Sequence, residues 1–505
     1  MTVQTAPLSI ALPDLGATTA LAEDLALALK PGDCLCLSGD LGAGKSTLAR
    51  ALIRAIADDP DYEVPSPTFT LVQNYDIRFQ IAHFDLYRLA SADELDELGL
   101  EEALEDGIAL VEWPERASER LGSDTVAISL EDIADTRRTA RISAGPAFLE
   151  RFDRSRTLRS FLDEAGMGRA ERRFLQGDAS SRTYERIRPL TGDPLILMNA
   201  PRRPDGPPIR DGLPYSRIAH LAEDVVPFVA IDEWLRQQGF AAPAIVARDL
   251  DEGILLIEDL GSDGLLDPQG APIAERYQLA AECLAALHQK QPPQSIHVDG
   301  REHHVPAYDS RAMQIEIELL TDWYLPWRTG SPVEARVRAE YIELWAGLFA
   351  QLQSAEKALV LRDYHSPNLI WREDRTGLDR LGLIDFQDAM IGPSAYDVAS
   401  LCQDARVTIE PELEERLLAR YIEERRSADP AFDEAAFREV YAIMALQRAS
   451  KILGIFVRLD QRDGKPGYLR HLPRIEGYIA QSLQHPALQP LRSWFTRVGI
   501  VSTES

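Results

Sequence analysis

Gly39-Asp40-Leu41-Gly42-Ala43-Gly44-Lys45-Ser46 stands between the short apolar run Cys34–Leu37 and a helical pattern over residues 47–56. The setting counts as much as the letters, because G-x-x-x-x-G-K-[ST] cradles phosphate where a strand delivers it and a helix continues it. There Gly39, Gly42 and Gly44 let backbone N–H groups turn inward on the phosphates. The helix N-terminus adds positive potential, Lys45 reaches the β and γ oxygens, and Ser46 can ligate magnesium. Upstream, residues 20–30 repeat apolar positions at helical spacing until Pro31-Gly32 stops them. The first 150 residues are therefore expected to form an α/β P-loop NTPase domain that uses ATP and Mg2+.

A P-loop also needs a carboxylate at a neighbouring strand end to organise metal or water. Residues 81–88 (Ile-Ala-His-Phe-Asp-Leu-Tyr-Arg) and 109–115 (Ala-Leu-Val-Glu-Trp-Pro-Glu) are apolar runs that each end in one, giving Asp85 and Glu112. With GDLGAGKST, Ser66-Pro67-Thr68-Phe69-Thr70, HFDLYRL and LVEWPE in this order, residues 1–150 resemble the TsaE-type ATPases of bacterial tRNA threonylcarbamoyladenosine biosynthesis. The resemblance implies a small ATPase acting on a TsaB–TsaD partner complex. It puts Lys45, Ser46 and Thr47 on phosphate and magnesium and Thr68 in a switch-like loop. Asp85, Glu112 and Trp113 complete the site, Glu112 being the preferred magnesium-side carboxylate. Trp113 reads equally well as core packing.

A second phosphate-handling pattern lies far downstream: Leu361-Arg362-Asp363-Tyr364-His365-Ser366-Pro367-Asn368, an apolar strand, a charged turn, then Leu381-Gly382-Leu383-Ile384-Asp385-Phe386. In kinase-like phosphotransferases a catalytic-loop Asp accepts the hydroxyl proton and an Asn five residues on holds magnesium. An Asp ending the next hairpin strand bridges the metal to the phosphates. Asp363, Asn368 and Asp385 fit those roles in order. Residues 254–261 suit the strand and hinge between two kinase lobes, with backbone at Glu258 and Leu260 meeting adenine. Gln176–Tyr184 suits a phosphate-covering hairpin. His288 reads as a helix-end residue, and Trp323, Tyr324 and Trp327 as core at helical spacing.

Residues 157–490 resemble the aminoglycoside-phosphotransferase-like kinases. GDASSRTYER, LILMNAP, LLIEDLG, LTDWYLP, LRDYHSPNLIW and LIDFQDAMIGPSAYDVASL are similar, more closely, to the anomeric N-acetylmuramate/N-acetylglucosamine kinases of peptidoglycan recycling. The resemblance implies transfer from ATP to the anomeric hydroxyl of a free amino sugar, and it gives Asp397 a part in holding the catalytic loop. Met198 stands where such kinases usually carry a strand lysine, which leaves Arg182 and Arg186 as candidate phosphate contacts.

Bulk properties bound these readings. A chain of 505 residues, 45% hydrophobic and 27% charged, exceeds one ordinary core. The net charge is −27, and residues 1–150 hold 27 carboxylates against 11 lysines and arginines. That balance disfavours broad contact with nucleic acid or anionic membrane, so a link to RNA is expected through protein. Cys34, Cys36, Cys283 and Cys402 lack metal-site spacing and read as reduced core thiols. With no leader pattern and no apolar run near 18 residues, a cytoplasmic protein is expected. Gly145-Pro146 is expected to break the pattern, with Arg159–Ala165 opening a new domain. The boundary is drawn near 150, before an α+β protein-kinase-like (aminoglycoside phosphotransferase-like) two-lobed domain over 151–505, N-lobe about 157–260 and C-lobe about 261–505. Alternatives are a nucleotide-dependent binding module for the first half and an aminoglycoside or other small-molecule hydroxyl kinase for the second.

Overall fold

The computed structural model describes residues 7–502 apart from 68–69, 90, 92–93, 123, 135–136, 176–181 and 203. The chain divides into two compact units, Met1–Asn199 and Ala200–Ser505.

The first unit runs β1 (Leu8–Leu12), α1 (Leu15–Ala28), β2 (Cys34–Ser38), α2 (Lys45–Ala57), β3 (Val72–Asp76), β4 (Gln80–Asp85), β5 (Gly107–Glu112), β6 (Thr125–Ala134) and β7 (Arg137–Ser143). Its seven strands lie in the order β1-β7-β6-β2-β5-β4-β3. β2 pairs in parallel with β5 and β6, and β4 with β5, while β3–β4, β6–β7 and β1–β7 are antiparallel, so the sheet is mixed. Central β2 is apolar from Cys34 to Leu37 because both faces are covered: Leu35 and Leu37 enter one core cluster, Cys34 and Cys36 another. The phosphate loop thus leaves the C-terminal end of the middle strand, between parallel neighbours on either side, where open α/β sheets bind ligands.

Gly145-Pro146 follows the end of β7 and opens a helix: α3 (Pro146–Glu164) has Gly145 as N-cap and proline in its first turn. The physical reason is that a first-turn N–H has no helical acceptor, so proline loses nothing there. Residue 150 lies inside α3, and the helix does not begin at Arg159; its Phe148 and Phe152 belong to the core of the seven-stranded sheet. Beyond it β8 (Glu171–Leu175), β9 (Thr183–Arg188) and β10 (Leu195–Asn199) form antiparallel pairs.

β8 is fastened to the P-loop segment by three consecutive side chains. Buried Arg172 donates to Asp24 of α1 at 2.6 Å and to Glu185 of β9 at 2.7 and 2.9 Å. Arg159 of α3 also donates to Asp24 at 2.8 Å. Arg173 donates to the carbonyl of Asp58, which caps α2, at 2.9 Å, and the Arg78 guanidinium lies 4.9 Å from the Phe174 ring centre. Removing one member of such a cluster strands the others away from water. Arg172→Met is expected to cost about 3–5 kcal/mol in urea unfolding of the full chain. Arg172→Met/Asp24→Leu/Glu185→Leu should recover much of that loss, since Arg159 keeps Glu23 at 2.9 Å and no fully buried charge is then left unpaired.

The second unit contains the antiparallel pair β11 (Ile245–Asp249) and β12 (Ile254–Glu258), then α4 (Ala274–His288) and α5 (Ser310–Leu319). There follow β13 (Lys357–Val360), β14 (Leu369–Trp371), β15 (Leu381–Leu383), β16 (Met390–Pro393), α6 (Ala395–Cys402) and α7 (Glu434–Asp463). β13 pairs with β16 and β14 with β15, both antiparallel. α7 crosses close to the end of α5: a Cβ on Gly454 would meet the Leu319 carbonyl at 2.3 Å, so only glycine permits the approach. There α5 continues into a π-helical turn, Leu320–Tyr324. α7 is long and apolar enough to cross a membrane, yet 89% of its apolar window is buried inside the protein, as in a core helix. Tyr324 is fully buried and Trp323 packs beside it, whereas Trp327 is exposed. All four cysteines are buried and free.

Candidate functional site

In the first unit the strand register brings the predicted carboxylates together. Asp85 pairs with Glu112 across β4 and β5, and Glu112 with Leu37 across β5 and β2, so both acids stand at the end of the strand that feeds the loop. Gly39 takes φ 138°, and a Cβ there would strike the Leu130 carbonyl at 2.5 Å; Gly44, at φ 102°, is the N-cap of α2. These two positions need glycine for different reasons, a close approach and a left-handed backbone. Lys45 Nζ donates to the Gly39 and Asp40 carbonyls at 2.7 and 2.9 Å and sits 3.6 Å from the Trp113 ring centre. Burial pushes the Lys45 ammonium down, against the pull of Glu112, Glu115, Asp85 and Asp40. Ser46 Oγ donates to Glu112 Oε2 at 2.8 Å, and His83 Nε2 lies 3.0 Å from Glu112 Oε1.

Lys45, Ser46, Thr47, Asp85, Glu112 and Trp113 line one cavity of about 330 Å³, together with Gly42 and Gly44. Trp113 is therefore at the cavity wall, held in a left-handed conformation (φ 61°) with its ring 5.0 Å from Tyr87. Thr68 falls outside the described residues. His83 carries little signal in the sequence: it is one polar residue inside an apolar strand, and only the fold shows it buried against Glu112.

In the second unit β13 delivers the segment 361–365, whose backbone makes an unusual turn with Arg362 at φ 74°. Asp397, fully buried on α6, accepts from the Leu361 and Arg362 N–H groups at 2.6 and 2.9 Å, as expected of a residue holding the loop. Asn368 Nδ2 donates to the Asp363 carbonyl at 2.9 Å and lies 3.5 Å from Asp385 Oδ2. The Ile384 N–H donates to the Asn368 carbonyl at 3.1 Å, so hairpin β14–β15 sets Asn368 beside Asp385. Asp385 takes φ 62°, and Gln387 donates to its Oδ1 at 2.9 Å. Asn368 and Asp385 thus meet side chain to side chain, and Asn368 is tied to the backbone of Asp363. Burial opposes the Asp363 charge, but Lys451, His365, Arg362 and Arg448 hold its carboxyl below the ordinary value.

Two supports are not legible in the sequence. Asp404 accepts from Ser366 N and Oγ at 3.0 and 2.6 Å, pinning the turn before Asn368. Glu316 of α5 is buried between Arg362, Tyr308, Gln447 and Lys451, the last at 3.1 Å. Although burial alone would raise it, Lys451 and Arg362 bring the Glu316 carboxyl down to about 2. His288, at the end of α4, is buried with Nδ1 2.9 Å from the Tyr421 hydroxyl and Nε2 4.0 Å from Asp397, a structural place rather than a catalytic one. At the hinge, the Glu258 N–H donates to the Ala244 carbonyl at 2.8 Å and its carboxylate pairs with Arg372 at 3.1 Å. Leu260 packs 2.9 Å from where a Cβ on Gly382 would stand, which places it against hairpin β14–β15.

Comparison with known proteins accords with this geometry. Residues 12–140 match the family model "Threonylcarbamoyl adenosine biosynthesis protein TsaE", and residues 171–436 match "Phosphotransferase enzyme family". A "tRNA threonylcarbamoyladenosine biosynthesis protein TsaE" of Rickettsia felis is 41% identical over 126 residues, covering 25% of this chain and 73% of that protein. An "N-acetylmuramate/N-acetylglucosamine kinase" of Caulobacter vibrioides is 36% identical over 354 residues, covering 68% of this chain and 96% of that protein. The chain belongs to both families. It joins a TsaE-family P-loop ATPase segment to a phosphotransferase-family segment of protein-kinase-like fold. Among solved structures, a microcompartment-associated aminopropanol kinase aligns over 68% of this chain and 99% of its own, with 14% identity and a TM-score of 0.43.

Proposed function

We propose that the chain is bifunctional, its TsaE-family segment hydrolysing ATP in support of tRNA threonylcarbamoyladenosine modification and its phosphotransferase segment phosphorylating N-acetylmuramate and N-acetylglucosamine at the anomeric hydroxyl. The TsaE segment would act through a protein complex of the TsaB–TsaD type, in keeping with the acidic balance of residues 1–150. Both activities belong to the cytoplasm, where ATP and free amino sugar meet. The segments are taken to join near residue 150, within α3, which lies in the interval between the two family matches.

The observation that carries the kinase reading is Asn368, tied to the Asp363 backbone and set beside Asp385, in a chain so similar to an amino-sugar kinase. The acceptor oxygen attacks the γ-phosphorus, the bond to the β-phosphate oxygen breaks and ADP leaves, while the hydroxyl proton passes to Asp363. A hemiacetal hydroxyl is more acidic than an ordinary alcohol, so a carboxylate held as ionised as Asp363 is an adequate base. Magnesium, when bound, would neutralise the phosphates; Asn368 and Asp385 offer it hard oxygen donors, as Ser46 and Glu112 do in the other segment. Lys45 and the glycine backbone would hold the ATPase phosphates, Glu112 would orient the attacking water, and Asp85 would steady the strand ends. Glu258 and Leu260 would present backbone to adenine.

The acceptor is tested with blocked sugars. N-acetylglucosamine should be phosphorylated and its methyl glycoside should not, because the glycoside lacks the reacting hydroxyl. Turnover of the glycoside, or preference for an aminoglycoside, would overturn the assignment.

A further inference from the structure

Both oxygens of the Glu112 carboxylate are engaged by protein. Ser46 Oγ donates to Oε2 at 2.8 Å, and His83 Nε2 stands 3.0 Å from Oε1. Glu112 is 1% exposed and His83 2%, so the second contact is closed to bulk water. Strand geometry explains how they meet. Successive side chains of a strand point to opposite faces, so His83 shares the face of Asp85, which pairs with Glu112 across β4 and β5. Ile81, two residues back on β4, and Leu110, two back on β5, belong to the core cluster that α2 joins through Leu48 and Leu52. His83 therefore fills a core position among apolar neighbours, where burying a polar ring costs free energy unless it is hydrogen-bonded.

Its contacts assign the ring proton. Nδ1 is buried and has no hydrogen-bond partner among the described residues, so an N–H there would be stranded. A proton on Nε2 instead meets a carboxylate oxygen that accepts it. One end of His83 packs and the other holds Oε1. The effect on Glu112 is directional: with Oε1 tied inside the core, Oε2 stays turned toward Ser46, and Glu112 and Ser46 both line the nucleotide cavity. Because Ser46 donates its proton to Oε2, its oxygen lone pairs are left for a cation.

We propose that His83 is a positioning residue of the P-loop site, fixing the Glu112 carboxylate so that Oε2 and Ser46 together receive a nucleotide-bound divalent cation. This rests on reading Glu112 and Ser46 as the magnesium side of that site. His83 is absent from the cavity wall, where Lys45, Gly42 and Gly44 hold the phosphates. Its loss should therefore weaken the contribution of the metal and leave metal-free nucleotide binding as it is. Groups that orient the ligands of a metal commonly carry about tenfold to a hundredfold in metal affinity.

The test uses the full chain in an Asp385→Asn background, with a fluorescent non-hydrolysable ATP analogue as probe. Its dissociation constant is measured with magnesium and with EDTA, and the readout is the factor by which magnesium tightens binding. His83→Phe keeps a ring in the core but has no donor, and it should lower that factor about tenfold to a hundredfold while the constant in EDTA stays unchanged. His83→Gln, whose side-chain amide can donate in place of Nε2, should recover part of the loss. A full magnesium effect in His83→Phe overturns the proposal. Equal weakening with and without magnesium also overturns it, since that marks a merely structural role, as does a His83→Gln variant that falls as far as His83→Phe. An unaltered chain whose binding gains nothing from magnesium would instead reject the magnesium reading of Glu112 and Ser46 itself.

Discussion

Asp363→Asn is expected to lower kcat for sugar phosphorylation by about 10²–10⁴-fold, the usual contribution of a positioned general base, while leaving KM for ATP nearly unchanged. The amide has the shape of the carboxylate but cannot take the proton. The loop itself does not depend on that side chain: the Asp363 N–H donates to the Leu361 carbonyl at 2.9 Å, and its own carbonyl accepts from Asn368 Nδ2 at 2.9 Å and the His365 N–H at 3.1 Å. Asp397 holds the two preceding N–H groups. Steady-state kinetics with N-acetylglucosamine check this, and near-normal turnover would remove Asp363 from the mechanism. Asp385→Asn should behave differently, raising KM for ATP, because that carboxylate faces Asn368 rather than the acceptor.

Lys45→Ala should weaken nucleotide binding at the P-loop by about tenfold to a hundredfold or more, since each charge-assisted hydrogen bond removed is worth about 1.5–3 kcal/mol. Lys45 faces Glu112, Glu115, Asp85 and Asp40, so its removal also takes a positive charge from a cavity that keeps Arg88 on its wall. The fold should survive. The Gly39 and Asp40 carbonyls that Lys45 now engages belong to a loop open to water, which can replace the missing donor. Titration with a fluorescent ADP analogue in an Asp385→Asn background isolates this site from the other.

The local patterns are legible because each is dictated by short-range chemistry. A glycine loop between a strand and a helix admits few conformations, and the parallel register that puts Asp85 beside Glu112 follows from apolar runs that both end in acid. Likewise a three-residue strand and its return fix Asn368 against Asp385. What the sequence does not disclose depends on residues distant in the chain. Glu316 and Asp404 hold the catalytic loop from 46 and 38 residues away, and nothing in their neighbourhoods distinguishes them from solvated acids. Arg172 reads as one of several arginines on a strand, yet it reaches back 148 residues to Asp24. Gly145-Pro146 marks the end of the strand pattern but does not announce that a helix opens there, whose Phe148 and Phe152 pack back on the first sheet.

Two ATP sites on one chain can be counted directly. Calorimetric titration of the full-length protein with a non-hydrolysable MgATP analogue should give two bound nucleotides per chain, and Lys45→Ala should leave one while sugar phosphorylation continues. A single nucleotide on the unaltered protein, or loss of sugar phosphorylation in folded Lys45→Ala, would contradict separate sites.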